Sequence, residues 1–331
     1  MRLDAALALF LPKLGLRGRR RLWNWRRITV NGRPRLPGFI VGPGDLIRVD
    51  ATPDARPDSG PGSKPGDANT HPADAGEGLT DLCAALRLVA ANHDFAALHK
   101  PAGLHSAIVA GGRAPSLEAL LPEEWKRLWR DYARQSATPG DAPSPPLPLT
   151  RLDAATSGIV LAAMIFDAAE RFRLVERRGQ ALKTYFAVVQ GRLLRPLELR
   201  NRLLTNNRKL TLVMDEDDPD NTRHTLVTPL RETGEIPTGE PIGERGNRTS
   251  DETALREATL VRVRIRRGAR HQIRAHLAAA GFPLVGEWLY PSPRADKPGA
   301  RLYLHHARVE LPGFSALDMP DWNLGEKIED I

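Results

Sequence analysis

The stretch Arg151-Leu152-Asp153-Ala154-Ala155-Thr156-Ser157-Gly158 runs directly into the apolar segment Ile159-Val160-Leu161-Ala162-Ala163. A short apolar run bounded by small polar residues reads as a buried strand. Asp153 therefore sits just ahead of a strand, two residues after Arg151. A carboxylate in that position has two readings. It caps backbone donors in a turn, or it is held out of water for chemistry, in which case a cation must stand beside it. The local pattern alone leaves both open.

Working outward, the stretch Arg266-Arg267-Gly268-Ala269-Arg270-His271-Gln272-Ile273-Arg274-Ala275-His276-Leu277 supplies cations. It reads as a strand-to-helix junction, with a helix over His271–Ala280 closed by Gly281 and Pro283. Its basic side chains form either a structural ion-pair network or the partner that Asp153 needs. Around these two stretches lie further short elements. Leu86–Ala91 and Phe95–Leu98 read as strands about a His93-Asp94 turn, and Thr184–Gln190 and Leu260–Ile265 as strands. After the Ser157–Ile165 strand, Asp167 is the expected N-cap of a helix through Arg178 that ends at Gly179. Many strands and few helices, without βαβ alternation, imply an α+β fold on a mixed, largely antiparallel sheet.

The 331 residues are 41% hydrophobic and 27% charged, as in ordinary globular proteins, and no run of 18 uncharged apolar residues suggests a membrane span. A mildly apolar start followed by a Lys/Arg cluster is the wrong order for a secretory signal. One cysteine, Cys83, excludes an internal disulfide framework, so a reducing cytoplasm is expected. Charge is more telling. The net +8 is carried by residues 1–50, with 11 basic and 3 acidic side chains, while the rest of the chain holds 37 of each sign. Such a local patch reads as a phosphate-backbone footprint.

Residues 1–50 read as a small module. It opens on an amphipathic helix of Leu3, Ala6, Leu7 and their neighbours, with Pro12 near its end. An Arg-rich segment carrying Arg17, Arg19, Arg20, Arg21, Arg26 and Arg27 around Trp23 and Trp25 comes next. A strand into an Asn31-Gly32 turn follows, then a Gly42–Asp45 turn before an alternating strand to Val49. Residues 51–79, rich in Pro, Gly, Asp and Ala, have no apolar period and are expected to be a flexible linker. Residues 80–331 are the remaining domain. Ala137–Pro148 reads as a surface loop within it, and Glu232–Glu252 as an insertion between strands.

Several chemistries find no support. The nine histidines form no His-Glu-x-x-His pattern, and there is neither a Gly-x-x-x-x-Gly-Lys-Ser/Thr loop nor a Gly-x-Gly-x-x-Gly loop. No metal and no cofactor is expected. Ser157 lacks a Gly-x-Ser-x-Gly elbow and a base in the sequence.

Taken together the motifs resemble the RluA family of RNA pseudouridine synthases. The residues concerned are Leu98-His-Lys100-Pro-Ala-Gly-Leu104, Arg151-Leu-Asp153-x-x-Thr156-Ser-Gly158, Lys183-Thr-Tyr185, Val188-Val-Gln-Gly191, His271-Gln-Ile-Arg274-x-His276-Leu, Gly281-x-Pro-Leu-Val-Gly-Glu287-x-x-Tyr290 and Leu304-His305. Order and spacing agree over roughly residues 85–310. The first 50 residues resemble the RNA-binding module first named from a small-subunit ribosomal protein, the S-four type. Many family members have Gly-Asp where this chain has Gly286-Glu287.

The resemblance implies an isomerase that converts uridine in RNA to pseudouridine. It makes Asp153 the catalytic carboxylate, Tyr185 the platform against the target base and Arg274 the partner of Asp153. Arg151, Arg270, His271, Lys100 and Thr156 are then expected at the substrate. Ribosomal RNA is the expected partner, with tRNA less so, and a monomer is the expected state. Two other readings compete. One is a catalytically inactive RNA-binding or ribosome-assembly factor on the same fold. The other is a metal-free hydrolase that uses Asp153 as nucleophile and releases uracil.

Overall fold

The computed structural model describes residues 3, 6, 7, 28–34, 40–49, 74–108, 114–136, 141–206, 210–233, 257–290 and 301–322. The chain divides into two compact units, residues 1–84 with 107–122 and residues 85–106 with 123–331.

In the first unit, β1 (Ile28–Val30), β2 (Arg33–Pro34) and β3 (Ile47–Val49) form an antiparallel sheet in the order β2-β1-β3. The expected turn is present. Asn31 and Gly32 take φ of 52° and 76°, the pair of positive values that a two-residue hairpin turn of type I′ requires. The Asn31 side chain ties this turn to the next one, accepting from Leu46 N–H at 2.9 Å and donating to Asp45 at 2.7 Å. Leu3, Ala6 and Leu7, helical and spaced as one face, are buried with Ile28, Val30 and Val41. Arg17, Arg19, Arg20, Arg21, Arg26 and Arg27 lie outside the described residues. Helix α1 (Asp74–Ala85) begins within the segment expected to be irregular. Leu79, Leu82 and the closing Ala84-Ala85 are good helix formers that the Gly- and Asp-rich surroundings mask.

The second unit is built on a ten-stranded sheet. Its strands are β4 (Arg87–Ala91), β5 (Phe95–Lys100), β6 (Leu147–Pro148), β7 (Ser157–Ala163), β8 (Leu182–Gln190), β9 (Leu197–Leu199), β12 (Thr225–Thr233), β13 (Ala258–Ile265), β14 (Leu304–Leu311) and β15 (Phe314–Leu317). A separate hairpin pairs β10 (Asn201–Leu204) with β11 (Leu212–Asp217). The order is β4-β5-β7-β14-β8-β13-β12-β9, with β15 on β14 and β6 on β7. Only the β7–β14 pairing is parallel among the described strands, so the sheet is mixed and largely antiparallel as expected. The Ser157 hydroxyl extends that short pairing by a 2.9 Å bond to His305 Nδ1, while His305 Nε2 donates to the Asp318 carbonyl at 2.8 Å. An imidazole thus stands beside Ser157 after all, but it is buried and committed to strand pairing.

Helix α2 (Leu117–Ser136), opened by Ser116 Oγ accepting from Ala119 N–H, has no counterpart among the expected elements. Leu117, Leu121, Trp125 and Leu128 form its buried stripe despite Pro122 in the second turn. Helix α3 (Phe166–Arg177) ends at Gly179 as expected. Its N-cap, however, is Ile165 without a side-chain bond. Asp167 instead lies in the first turn, where its charge favours the positive helix end. The segment 234–256 falls outside the described residues, between the paired strands β12 and β13.

Strand alternation places two cores on opposite faces of β8. Phe186 and Val188 join Leu260 and Trp322. Tyr185, Ala187 and Val189 join Val261, Val263 and, from helix α4 (Gln272–Ala279), Ile273 and Leu277. Each Val, Leu, Ile or Phe among them contributes about 1.5–3 kcal/mol on full burial. The α4 contact holds that helix beside Tyr185.

Candidate active site

Asp153 is set in place by backbone. Thr156 N–H donates to its carbonyl at 3.1 Å, closing a turn, and Gly103 N–H donates to the Ala154 carbonyl at 2.8 Å. Ser106 Oγ both donates to the Leu152 carbonyl and accepts from its amide, at 2.8 and 2.9 Å. Behind the turn, the fully buried Lys100 Nζ donates to the carbonyls of Pro101, Leu104 and Ala154, at 2.9, 2.7 and 3.3 Å. Burial pushes its amine down to about 7, against the pull of the Asp153 charge. Thr156 is likewise buried. Both residues were expected at the substrate; in the structure both are buried, and Lys100 is bonded to carbonyls of the loop that carries Asp153 and of its neighbours.

After the turn, Gly158 has φ of 107°, and a Cβ there would meet the His306 backbone at 2.4 Å. No other residue fits where β7 is drawn against β14.

Two donors from the start of α4 face the Asp153 side chain. Arg274 Nη1 is 3.5 Å from one carboxylate oxygen and His271 Nε2 is 3.6 Å from the other. Arg274 is itself anchored. Its Nε and Nη2 form a two-pronged pair with Glu287 at 2.8 and 2.7 Å, and Glu287 is fully buried. Burial disfavours the Arg274 cation, but bonding to Glu287 overcomes this and raises its pKa. The expected Arg274–Asp153 pair is therefore the looser of two contacts. Glu287 also accepts from Leu289 N–H at 2.8 Å. Gly286 makes its placement possible, since at φ of 82° a Cβ would strike the Arg301 carbonyl at 1.9 Å.

The rest of α4's polar sequence holds the helix down. Gln272 donates to the Arg223 carbonyl and to Thr225 Oγ1, at 2.7 and 3.0 Å. His276 bridges Thr225 Oγ1 and the Asn201 carbonyl, at 2.9 Å each. The motif thus separates into residues that face Asp153 (His271, Arg274) and residues that face away (Gln272, His276).

Tyr185, on β8, is 7% exposed and stacks on His306, with centroids 4.4 Å apart and planes 18° from parallel. Burial and then the Asp153 charge raise its phenol pKa, so the hydroxyl stays protonated. Burial holds His306 neutral, down at about 3, with Nδ1 donating to the Ile159 carbonyl at 2.6 Å. Arg151 is exposed; Arg270 is half-buried and donates to the Leu210 carbonyl at 3.1 Å. An acid flanked by cationic and imidazole donors, next to a rigid aromatic stack, suits proton or covalent chemistry on a planar heterocycle.

Residues 94–279, more than half of the chain, match the sequence profile of a family described as RNA pseudouridylate synthase. The chain belongs to that family. It is 28% identical over 172 residues to an uncharacterized RNA pseudouridine synthase of Helicobacter pylori, which covers 50% of this chain and 59% of that protein. It is 28% identical over 209 residues to RluA of Yersinia pestis, named a dual-specificity RNA pseudouridine synthase, covering 63% of this chain and 83% of that one. It therefore spans less than two thirds of the first relative's length and most of the second's. Among solved structures, human RNA Pseudouridylate Synthase Domain Containing 1 aligns at 18% identity over 71% of this chain and 83% of its own, with a TM-score of 0.48.

The sequence pattern brought together Asp153, Tyr185, Arg274 and His271, and the structure does so too. It missed Glu287 and His306 as site residues. The signals for them were the carboxylate that follows a glycine in Gly286-Glu287, and a second histidine after Leu304-His305.

Proposed function

We propose that this synthase isomerises specific uridines in structured RNA to pseudouridine, with Asp153 opening the reaction. The N-glycosidic bond breaks, uracil rotates, and its carbon 5 rejoins the ribose, with no net change in oxidation state. One observation carries the reading: donors from the α4 N-cap His271 and from Arg274 within α4 converge on the two oxygens of a single, quarter-exposed carboxylate whose charge reaches Tyr185. Tyr185 supports the base as a stacking platform, Arg274 keeps Asp153 oriented, and Arg151 supports the place that the base leaves.

The target nucleotide must leave its stack, at a cost of a few kcal/mol, which phosphate contacts offset. The basic first 50 residues suit that docking role, and the chain from residue 80 the chemistry. Ribosomal RNA is the favoured substrate class, modified in the cytoplasm by a monomer. A Salmonella typhi relative, 26% identical over 49% of this chain and named tRNA pseudouridine synthase C, keeps tRNA as the alternative.

Incubating the purified protein with ribosomal RNA and with tRNA, each free of pseudouridine, and mapping pseudouridine in both tests this. Pseudouridine at defined ribosomal positions is expected. Modification of tRNA alone overturns the substrate class, and free uracil in place of pseudouridine overturns the reaction.

A further inference from the structure

His271 takes φ of 55° and ψ of 18° at the start of α4, a left-handed conformation that non-glycine residues rarely adopt, and its side chain makes no helix cap. Glycine or asparagine would sit there with less strain, so the backbone gives up ease to place an imidazole. The imidazole meets a built partner. Tyr290, 6% exposed, lies edge-on to it at 89°, with its hydroxyl 2.9 Å from Nδ1. That hydroxyl already accepts the Thr211 amide at 3.1 Å, which leaves its own proton for Nδ1. Thr211 is held in turn by its hydroxyl on the Arg270 carbonyl, at 2.7 Å.

The proton inventory follows from these contacts. Burial holds the imidazole below its ordinary pKa, although Asp153 pulls the other way. The charged groups about it are Asp153, Arg274, Arg270 and Glu287. A neutral ring that accepts at Nδ1 carries its hydrogen on Nε2, and Nε2 is the atom that faces Asp153, at 3.6 Å. This is longer than a formed hydrogen bond, as is common at catalytic groups before substrate closes the site.

We propose that His271 is a positioning residue for Asp153, its tautomer fixed by Tyr290 so that Nε2–H steadies one carboxylate oxygen while Arg274 steadies the other. This rests on the pseudouridine synthase reading above. The two donors stand three residues apart on one helix turn, so they hold the carboxylate at a fixed tilt toward the base. Tyr290 acts at one remove: its hydroxyl meets Nδ1 and decides which nitrogen carries the hydrogen, while its ring lies 5.9 Å from the Arg274 guanidinium.

The test compares kcat and KM for pseudouridine formation by wild type, His271→Asn, His271→Gln, Tyr290→Phe and the Asn/Phe double variant. Asparagine accepts the left-handed backbone and keeps a polar atom near the Nδ1 position, but it falls short of Asp153. Glutamine reaches toward the Nε2 position. His271→Asn is expected to lower kcat on the order of 100-fold at unchanged KM. His271→Gln is expected to recover about tenfold of that loss, and Tyr290→Phe to lose about tenfold. The double variant should match His271→Asn alone, because phenylalanine keeps the ring against Arg274 and the hydroxyl it removes acts on Asp153 through the histidine. Losses that multiply in the double variant overturn the proposal, as does a Tyr290→Phe enzyme with wild-type kcat. If His271→Asn does not fold, Tyr290→Phe decides on its own, since it leaves backbone and ring in place. A wild-type protein that forms no pseudouridine overturns the functional reading instead.

Discussion

The turn that carries Asp153 and the helix start that carries Arg274 and His271 face each other, yet they are fixed by opposite kinds of bond. The turn rests on backbone: Thr156 and Gly103 amides, the Ser106 hydroxyl on Leu152, and one buried ammonium shared among three carbonyls. The helix start rests on side chains: Glu287 on Arg274, Tyr290 on His271, Thr225 on Gln272 and His276. A turn gripped through its main-chain atoms, even where Ser106 and Lys100 do the gripping, keeps its shape whichever side chains it carries itself. A side-chain network has no such reserve, because removing one member strands a buried charge or polar group in its partner.

The largest break in that comparison is Glu287→Ala. It leaves the buried Arg274 guanidinium without its two-pronged partner, and about 3–5 kcal/mol of stability should be lost. Denaturant unfolding measures this, and the same variant should lose most of its pseudouridine formation as Arg274 swings from its place. Lys100→Met attacks the other half. It strips the ammonium from the carbonyls of Pro101 and Leu104, and the weaker of two donors from that of Ala154, at a total of about 2–3 kcal/mol, with the substrate KM unchanged because Lys100 is buried beneath the turn. A raised KM with unaltered stability would put Lys100 at the substrate after all.

His306 sharpens the comparison from beneath the base platform. Folded, it stays neutral down to about 3; unfolded, it takes a proton near the ordinary histidine value of 6.5. Between those values the unfolded chain binds the extra proton, so this contribution is intact above 6.5 and is lost as pH falls, by up to about 1.4 kcal/mol per pH unit. His306→Phe keeps an aromatic ring against Tyr185 and should flatten the acid side of a stability-against-pH curve between 6 and 4 by about that slope. An unchanged slope would mean that His306 is not the group kept neutral. The mildest effect is expected from replacing Arg19, Arg20, Arg21, Arg26 and Arg27 by alanine. RNA binding should weaken and its dependence on log salt should flatten by up to about 0.9 for each phosphate no longer neutralised, read from binding titrations over a range of salt. A slope equal to that of wild type would move the RNA footprint off the first 50 residues.

How far the sequence alone reached depended on whether a feature was local. The Asn31-Gly32 turn, the apolar β7, the end of α3 at Gly179 and helix α4 are written in neighbouring residues, and each is present. Asp153, Tyr185 and Arg274 were legible because their motifs keep order and spacing. What stayed hidden needed tertiary pairing. Glu287 lies 13 residues beyond Arg274, across a turn, and nothing local marks it as that residue's main partner. His306 reaches Tyr185 only through the register of β14 on β8. Lys100 was expected at the substrate, and its burial shows only once the Asp153 turn is folded over it. Helix α2 was obscured by Pro122, although the buried stripe of Leu117, Leu121, Trp125 and Leu128 repeats at helical spacing.

The most direct measurement is a pseudouridine map of ribosomal RNA and tRNA from cells lacking this gene, complemented with wild type or with Asp153→Asn. Defined pseudouridines should disappear, and wild type should restore them. Asp153→Asn should restore none, its activity reduced at least about 1,000-fold while RNA binding stays within a few fold. Pseudouridines restored by Asp153→Asn would contradict the central role of that carboxylate, and a map identical in every strain would contradict the activity itself.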